Sequence, residues 1–167
     1  IEAICSLKSA GYIVIVVTNQ AGIARGMITE ADLADIHKKM KEEISEKGAS
    51  LDAIYYCPHH WDDGCECRKP KPGMLFQAQR DFHLDLSRTF FIGDDERDKE
   101  AGDSAGCLSM LLPSGVLLLD FVKEKIIQAL AEVKKPQMQR VAVAYEPVWA
   151  ITGTGSGVAD TPENAAA

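Results

Sequence analysis

No apolar run in the chain reaches the roughly 20 residues that a membrane span requires. The longest candidate, Leu108 to Val122, is interrupted by Ser109, Pro113, Gly115 and Asp120, so no membrane association is expected. Basic residues are outnumbered: 18 Lys and Arg face 25 Asp and Glu, for a formal net charge of −7. That balance argues against nucleic acid as the main partner, because a phosphate backbone needs a basic face. It leaves room for a small phosphorylated ligand, which needs only a local cluster of cations. The amino end carries Glu2 and no basic leader ahead of a hydrophobic stretch, so no secretory signal is expected. Cysteine is sparse and odd in number, with five residues, three of them in one loop. Cys5 and Cys107 stand apart in apolar surroundings and read as small buried hydrophobes. This usage excludes a disulfide framework and suits a reducing, cytoplasmic setting. No Met opens the sequence, which runs from Ile1 to Ala165-Ala166-Ala167; both ends are expected to be cut. There is no internal repeat.

What the chain does have is concentrated in Cys57-Pro58-His59-His60-Trp61-Asp62-Asp63-Gly64-Cys65-Glu66-Cys67-Arg68-Lys69-Pro70. A Cys-x-His pair and a Cys-x-Cys pair face each other across a short turn-forming segment. Four soft ligands on one small loop are what a tetrahedral zinc ion needs. Two cations follow at once, Arg68 and Lys69, and Pro70 and Pro72 stiffen the backbone around them. The alternative reading of that pair is a solvated basic surface loop.

The rest of the pattern is α/β. Tyr12 to Val17 is a continuous β-branched run, which suits a strand buried on both faces. Further strands are expected at Leu51–Tyr56, Thr89–Ile92, Leu108–Leu112 and Arg140–Ala144. Helices are expected near residues 1–10, over Glu30–Lys47 behind a Thr29 cap with Leu33, Ile36, Met40 and Ile44 as the apolar stripe, from Pro72 to Phe82, over Arg97–Ala105, and over Asp120–Val133. Strands alternating with helices imply a three-layer, mostly parallel sheet, in which ligands sit beyond the carboxyl ends of the strands. Thr18-Asn19, the Cys57 loop and Asp94 all fall at such ends. Thr18 and Asn19 can donate to phosphoryl oxygens, although a Thr-Asn pair is also an ordinary turn. Lys69 can neutralise phosphate charge. Asp94, Asp95 and Asp98 suit a hard cation such as Mg²⁺, or else a helix first turn enriched in acids.

Val17-Thr18-Asn19-Gln20-Ala21-Gly22-Ile23-Ala24-Arg25-Gly26, Cys57-Pro58-His59-His60, Cys65-Glu66-Cys67-Arg68-Lys69-Pro70-Lys71-Pro72-Gly73-Met74 and Gly93-Asp94-Asp95-Glu96-Arg97-Asp98 resemble the haloacid dehalogenase superfamily. The branch they look most like is the heptose bisphosphate phosphatases and their histidinol phosphate phosphatase relatives. The resemblance covers about residues 1–113. It implies that Thr18 and Lys69 bind the transferred phosphoryl group, that Asn19 and Arg68 meet substrate phosphate, and that Asp94 binds Mg²⁺. It also implies a structural zinc on Cys57, His59, Cys65 and Cys67, with His60 the spare imidazole. The implied substrate is a small sugar phosphate akin to D-glycero-D-manno-heptose 1,7-bisphosphate.

Two departures qualify this. Phosphatases of that family use an Asp nucleophile and a second Asp two residues on, both on the strand preceding the one that ends at Thr18. Residues 1–17 contain no Asp. A parallel neighbour needs a crossover of about a dozen residues or more, so the nucleophile strand is expected to precede Ile1. The chain is then expected to lack covalent catalysis and part of the Mg²⁺ shell, which keeps open a second reading, a zinc-stapled phosphate-binding module. The second departure is at the other end. Ala144-Tyr145-Glu146-Pro147-Val148-Trp149-Ala150-Ile151, then Gly153-Thr154-Gly155 and Thr161-Pro162-Glu163, is similar to the sixth strand and lid of triosephosphate isomerase, with Glu146 matching its catalytic base. One such unit cannot close an eight-stranded barrel. The expected organisation is therefore a phosphatase-like domain over 1–115 and an isomerase-like α/β segment over 116–167. The strand near 140–144 is expected to lie against the strand from Tyr12 to Val17, covering part of the gap that a missing central strand would leave.

Overall fold

The structure, a computed structural model, describes residues 1–127 and 142–145. Five parallel strands are β1 (Ile13–Asn19), β2 (Ala53–Cys57), β3 (Phe90–Gly93), β4 (Leu108–Leu111) and β5 (Ala142–Tyr145). They form one sheet in the order β2-β1-β5-β3-β4. The helices are α1 (Glu2–Ser9), α2 (Glu30–Glu46), α3 (Gly73–Phe82), α4 (Glu96–Ala105) and α5 (Leu118–Phe121), the last running into one wide turn over Val122–Ile127.

The β-branched run of β1 is buried along its middle because both faces of the sheet are covered. Successive side chains of a strand point to opposite faces, and the two cores divide accordingly. Val14, Phe90 and Ile92 pack with Ile4, Leu7, Met40, Ile44 and Phe121, under α1, α2 and α5. Ile15, Val17 and Phe91 pack with Met74, Leu75, Ala78 and Ala101, under α3 and α4. Each of the larger side chains among them, once removed from water, contributes roughly 1.5–3 kcal/mol.

α2 starts where the sequence suggests. Thr29 Oγ1 accepts from the Asp32 amide at 3.1 Å, and Asp32 returns the bond to the Thr29 amide at 2.8 Å. Its expected stripe is narrower than the spacing implies: Leu33, Met40 and Ile44 are buried, while Ile36 is 36% exposed. The expected helix from Asp120 onward begins at Leu118 and becomes the wide turn; its remainder lies outside the described residues, as does the isomerase-like sequence from Glu146 to Glu163.

β5 takes the centre of the sheet. Ala142–Tyr145 pairs with Ile13–Val16 of β1 on one side, and Val143–Tyr145 pairs with Phe90–Ile92 of β3 on the other. The neighbour expected for the strand near residue 140 is the one found. β5 also does more than cover an edge, because it joins the β1–β2 pair to the β3–β4 pair. The carboxyl ends of β1, β2, β3 and β5 all open on one edge.

Candidate functional site

That edge is organised by Lys69. Its Nζ donates to the Val17 carbonyl at 3.0 Å and forms a salt bridge of 2.7 Å to Asp98 Oδ1. Both side chains are sealed from solvent, at 2% and 1% exposure. Charges are kept inside a protein only when paired and hydrogen-bonded, so Asp98 is what holds the ammonium in place. The Asn19 side chain clamps the same residue by its backbone: Oδ1 accepts from the Lys69 amide at 3.0 Å and Nδ2 donates to the Lys69 carbonyl at 3.1 Å. One step back on β1, Gln20 Nε2 donates to Thr18 Oγ1 at 3.0 Å, and Thr18 and Gln20 are both buried. The loop carrying Arg68 and Lys69 is thereby tied to the end of β1 at three points.

The strand β3 leads to the same place. Gly93 ends it, and a Cβ there would collide with the Asp98 side chain. Only glycine lets α4 bring Asp98 this close. Asp95 caps α4, accepting from the Arg97 amide at 2.8 Å, and Asp98 Oδ2 accepts from the Asp95 amide at 3.2 Å. Asp98 therefore serves two donors, Lys69 and the helix end. Arg97 grips Asp95 with two nitrogens, at 2.8 and 3.0 Å, and this pair holds the Asp95 carboxyl below its ordinary range. Asp94 is exposed at the rim. Partial burial lifts its carboxyl above the ordinary range, the charges of Asp98 and Asp95 add to the lift, and Lys69 opposes it. A carboxylate crowded by two others is one whose charge a cation would relieve.

The Cys/His loop forms a compact ligand set. Cys57 Sγ lies 3.6 Å from His59 Nδ1, 3.6 Å from Cys65 Sγ and 3.2 Å from Cys67 Sγ, and His59 Nδ1 lies 3.2 Å from Cys67 Sγ. All four atoms fall within 4.8 Å of one another. A tetrahedral zinc with Zn–S of about 2.3 Å and Zn–N of about 2.0–2.1 Å has ligand-to-ligand edges of roughly 3.5–3.8 Å, so this donor set fits such an ion. Burial, with the neighbouring thiols, pushes the Cys57 thiol far up. Burial also raises Cys65, but the Arg68 amide and the two other thiols outweigh it and hold that thiol below its usual value. His60 stands apart from the ligands and caps the short turn Trp61–Asp63. Among the described residues no other group of three or more Cys, His, Asp or Glu is gathered this way. Asp94 offers a single carboxylate.

Beside the loop lies a cavity of about 250 Å³, lined by Trp61, Cys65, Arg68, Lys69, Lys71 and Arg97 among others. Arg68 is buried and reaches the His59 carbonyl at 3.5 Å. Gly73 opens α3 hard against this wall, since a Cβ there would strike the Glu66 carbonyl. Thr18, Lys69, Asn19 and Arg68 thus meet at one edge with the Cys57 loop and Asp94; Glu146 lies outside the described residues. Gln20, Trp61 and Arg97 were not singled out as site residues by sequence reasoning. Asp98 was read with Asp94 and Asp95 as a carboxylate for a hard cation or as an acid of the helix first turn; the structure puts it in the α4 cap and against Lys69.

Comparison with known proteins accords with this geometry. A HAD-hydrolase-like family model matches residues 66–137. A 7-phosphatase of D-glycero-β-D-manno-heptose 1,7-bisphosphate from Pseudomonas aeruginosa is 47% identical over 115 residues, covering 69% of this chain and 65% of that protein. The enzyme of the same name from Pasteurella multocida is 37% identical over 145 residues, covering 81% of this chain and 79% of its own length. The chain belongs to the haloacid dehalogenase superfamily, in its heptose bisphosphate phosphatase branch. The crystal structure of the D,D-heptose 1,7-bisphosphate phosphatase from Bordetella bronchiseptica, complexed with magnesium and phosphate, superimposes with a TM-score of 0.70 at 36% identity, covering 76% of this chain and 81% of that one. A triosephosphate isomerase model matches residues 117–167, the stretch that contributes β5 to this haloacid dehalogenase sheet. The chain spans about two thirds of the Pseudomonas relative's length. No helix among its described residues is long and apolar enough to cross a membrane.

Proposed function

We propose that the edge described above is the phosphoryl-binding half of a Mg²⁺-dependent phosphatase site for a small phosphorylated sugar, and that this chain binds such a ligand without turning it over. The observation that carries the reading is the buried Lys69 ammonium, fixed by Asp98 and the Val17 carbonyl, on a residue that lines a cavity together with Arg68, Lys71 and Arg97. Lys69 and Arg68 neutralise phosphate charge, and Thr18 lies at the end of the adjoining strand. Asn19 has its side-chain amide engaged with the Lys69 backbone at both ends, which makes it a positioning residue for Lys69. A divalent cation at Asp94 would supply further neutralisation of phosphoryl oxygens. A zinc ion on Cys57, His59, Cys65 and Cys67 would pin the cavity wall.

Turnover needs a nucleophile beside the phosphoryl group. The strand between β1 and β3 is the one expected to carry it in this family, and here that strand is Ala142-Val143-Ala144-Tyr145, without a carboxylate. The reading therefore predicts phosphate affinity without phosphoester hydrolysis. Isothermal titration with inorganic phosphate, alongside a colorimetric assay on p-nitrophenyl phosphate with Mg²⁺, tests both parts. Binding that disappears in Lys69→Met, with no release of p-nitrophenol, is the expected result. Hydrolysis at a rate above background would overturn the non-catalytic part, and absence of phosphate binding would overturn the whole.

A further inference from the structure

One side chain of the cavity wall has no part in phosphate recognition. Trp61 lines the same space of about 250 Å³ as Arg68, Lys69, Lys71 and Arg97. Its position is built rather than incidental. The His60 ring lies against the indole, with centroids 3.5 Å apart and planes tilted by 36°. The His60 amide donates to Asp63 Oδ2 at 2.8 Å, and the Asp63 amide donates to the His60 carbonyl at 3.3 Å. The turn closes through Gly64 at φ 65°, in the left-handed region, where glycine carries no steric cost. The four ligand-type side chains flank this turn on both sides, so Trp61 sits on a short arch with both feet anchored.

A cavity lined by both an indole and a cluster of cations sorts ligands by shape. Anionic oxygens go to the guanidinium and ammonium groups. The indole offers only an apolar face, with its edge N–H as its polar handle. The ligand that satisfies both kinds of lining carries a phosphate and an apolar ring face. A pyranose ring supplies that face through its axial C–H groups. The cavity is slightly below the roughly 300–1,000 Å³ typical of small-molecule pockets, which suits a single sugar ring better than a nucleotide.

We infer that Trp61 is a specificity-determining residue, a platform on which the ring of a sugar phosphate stacks while Arg68 and Lys69 hold its phosphate. The inference rests on the phosphate-binding reading above. It is tested in a Trp149→Phe background, so that Trp61 is the remaining tryptophan, by following fluorescence during titration with glucose 1-phosphate, glycerol 3-phosphate and inorganic phosphate. Glucose 1-phosphate is expected to bind roughly threefold to tenfold more tightly than the two ligands without a ring, and to shift the Trp61 emission. In Trp61→Ala, read by calorimetry, that preference is expected to vanish while inorganic phosphate affinity and zinc content stay the same; Trp61→Phe is expected to keep part of it. A preference that survives in Trp61→Ala overturns the platform. Equal binding of all three ligands by the Trp61-containing protein also overturns it, while leaving phosphate binding intact. Binding of none overturns both.

Discussion

The Lys69–Asp98 pair gives the sharpest test of how this edge is held together. The two side chains are 2% and 1% exposed and 2.7 Å apart. Lys69→Met leaves the Asp98 carboxylate buried with the Asp95 amide as a donor to Oδ2. Asp98→Leu leaves the ammonium buried with the Val17 carbonyl as an acceptor. Breaking a buried pair by removing one partner costs about 3–5 kcal/mol, whereas replacing both by apolar groups is often close to neutral. Each single variant should therefore lose about 3–5 kcal/mol in urea unfolding. For a chain of this size that corresponds to a fall in Tm of roughly 6–20 °C, at about 2–4 °C per kcal/mol. The double variant should be no worse than the milder single, because no unpaired charge remains; its cost should come from the lost bond to the Asp95 amide, about 1 kcal/mol. Phosphate affinity should be lost in Lys69→Met and in the double variant. Equilibrium urea curves with unchanged slopes measure the cycle. Additive single costs, or singles each below about 1 kcal/mol, would refute the claim that the pair is desolvated and mutually dependent.

Three other outcomes follow from the same fold. Metal analysis should return one zinc per chain, and chelation or Cys57→Ser should lower Tm, since binding free energy at such a site is coupled to folding; an unchanged melting curve after chelation would count against the assignment. Val143→Pro should be far more damaging than Val143→Ala, because β5 is paired on both sides and proline deletes a ladder donor. Hydrogen exchange of β1 and β3 amides should rise in the proline variant, and equal stability of the two variants would remove β5 from the ladder. Tyr12 is buried, and its hydroxyl has no hydrogen-bond partner among the described residues. Tyr12→Phe should stabilise the fold by about 1 kcal/mol. Burial raises the Tyr12 hydroxyl from 10.0 to about 12, so the unfolded chain ionises first as pH rises. The wild type should thus lose more stability across that range than Tyr12→Phe, which keeps the other raised groups but not this one; identical alkaline limbs would refute this.

The fold was legible in proportion to how local its signals are. A continuous run such as Ile13-Val14-Ile15-Val16-Val17 announces a strand covered on both faces, and the strand–helix alternation announces parallel crossovers. Thr29 marked the start of α2 because a cap acts within its own first turn, here through Asp32. Strand order is not local. Nothing within Ala142-Val143-Ala144-Tyr145 says whether it lies at an edge or between β1 and β3, and that position is set by which amides remain unpaired elsewhere. Ile36 fails for a related reason. Helical spacing puts it on the apolar face, but only Leu33, Met40 and Ile44 of that face are buried, and spacing alone does not say how wide a stripe its neighbours cover.

The site divides along the same line. The Cys57, His59, Cys65 and Cys67 donors were legible because their chemistry and their closeness in sequence coincide; eleven residues bring all four together. Lys69 was legible as a cation, but not as a cation sealed from water. Its setting depends on Asp98, 29 positions away by number and adjacent only once β3 lies two strands from β1. Asp98 was legible as an acid for a cation or for the first turn of α4, but neither reading points to Lys69. At the third position of α4 a carboxylate bonds the cap amide, and that function explains the residue without any ligand. The one local sign of its second function is Gly93: a strand that ends in glycine, followed by a capping acid, leaves space on one side, and here the space is filled by the carboxylate that holds Lys69. Substitution separates the two roles. Gly93→Ala should displace Asp98 from Lys69 and weaken phosphate binding, yet leave α4 capped by Asp95, so that helix content by circular dichroism is retained while affinity falls. Loss of helix together with affinity would mean that the close approach serves the fold and not the ammonium.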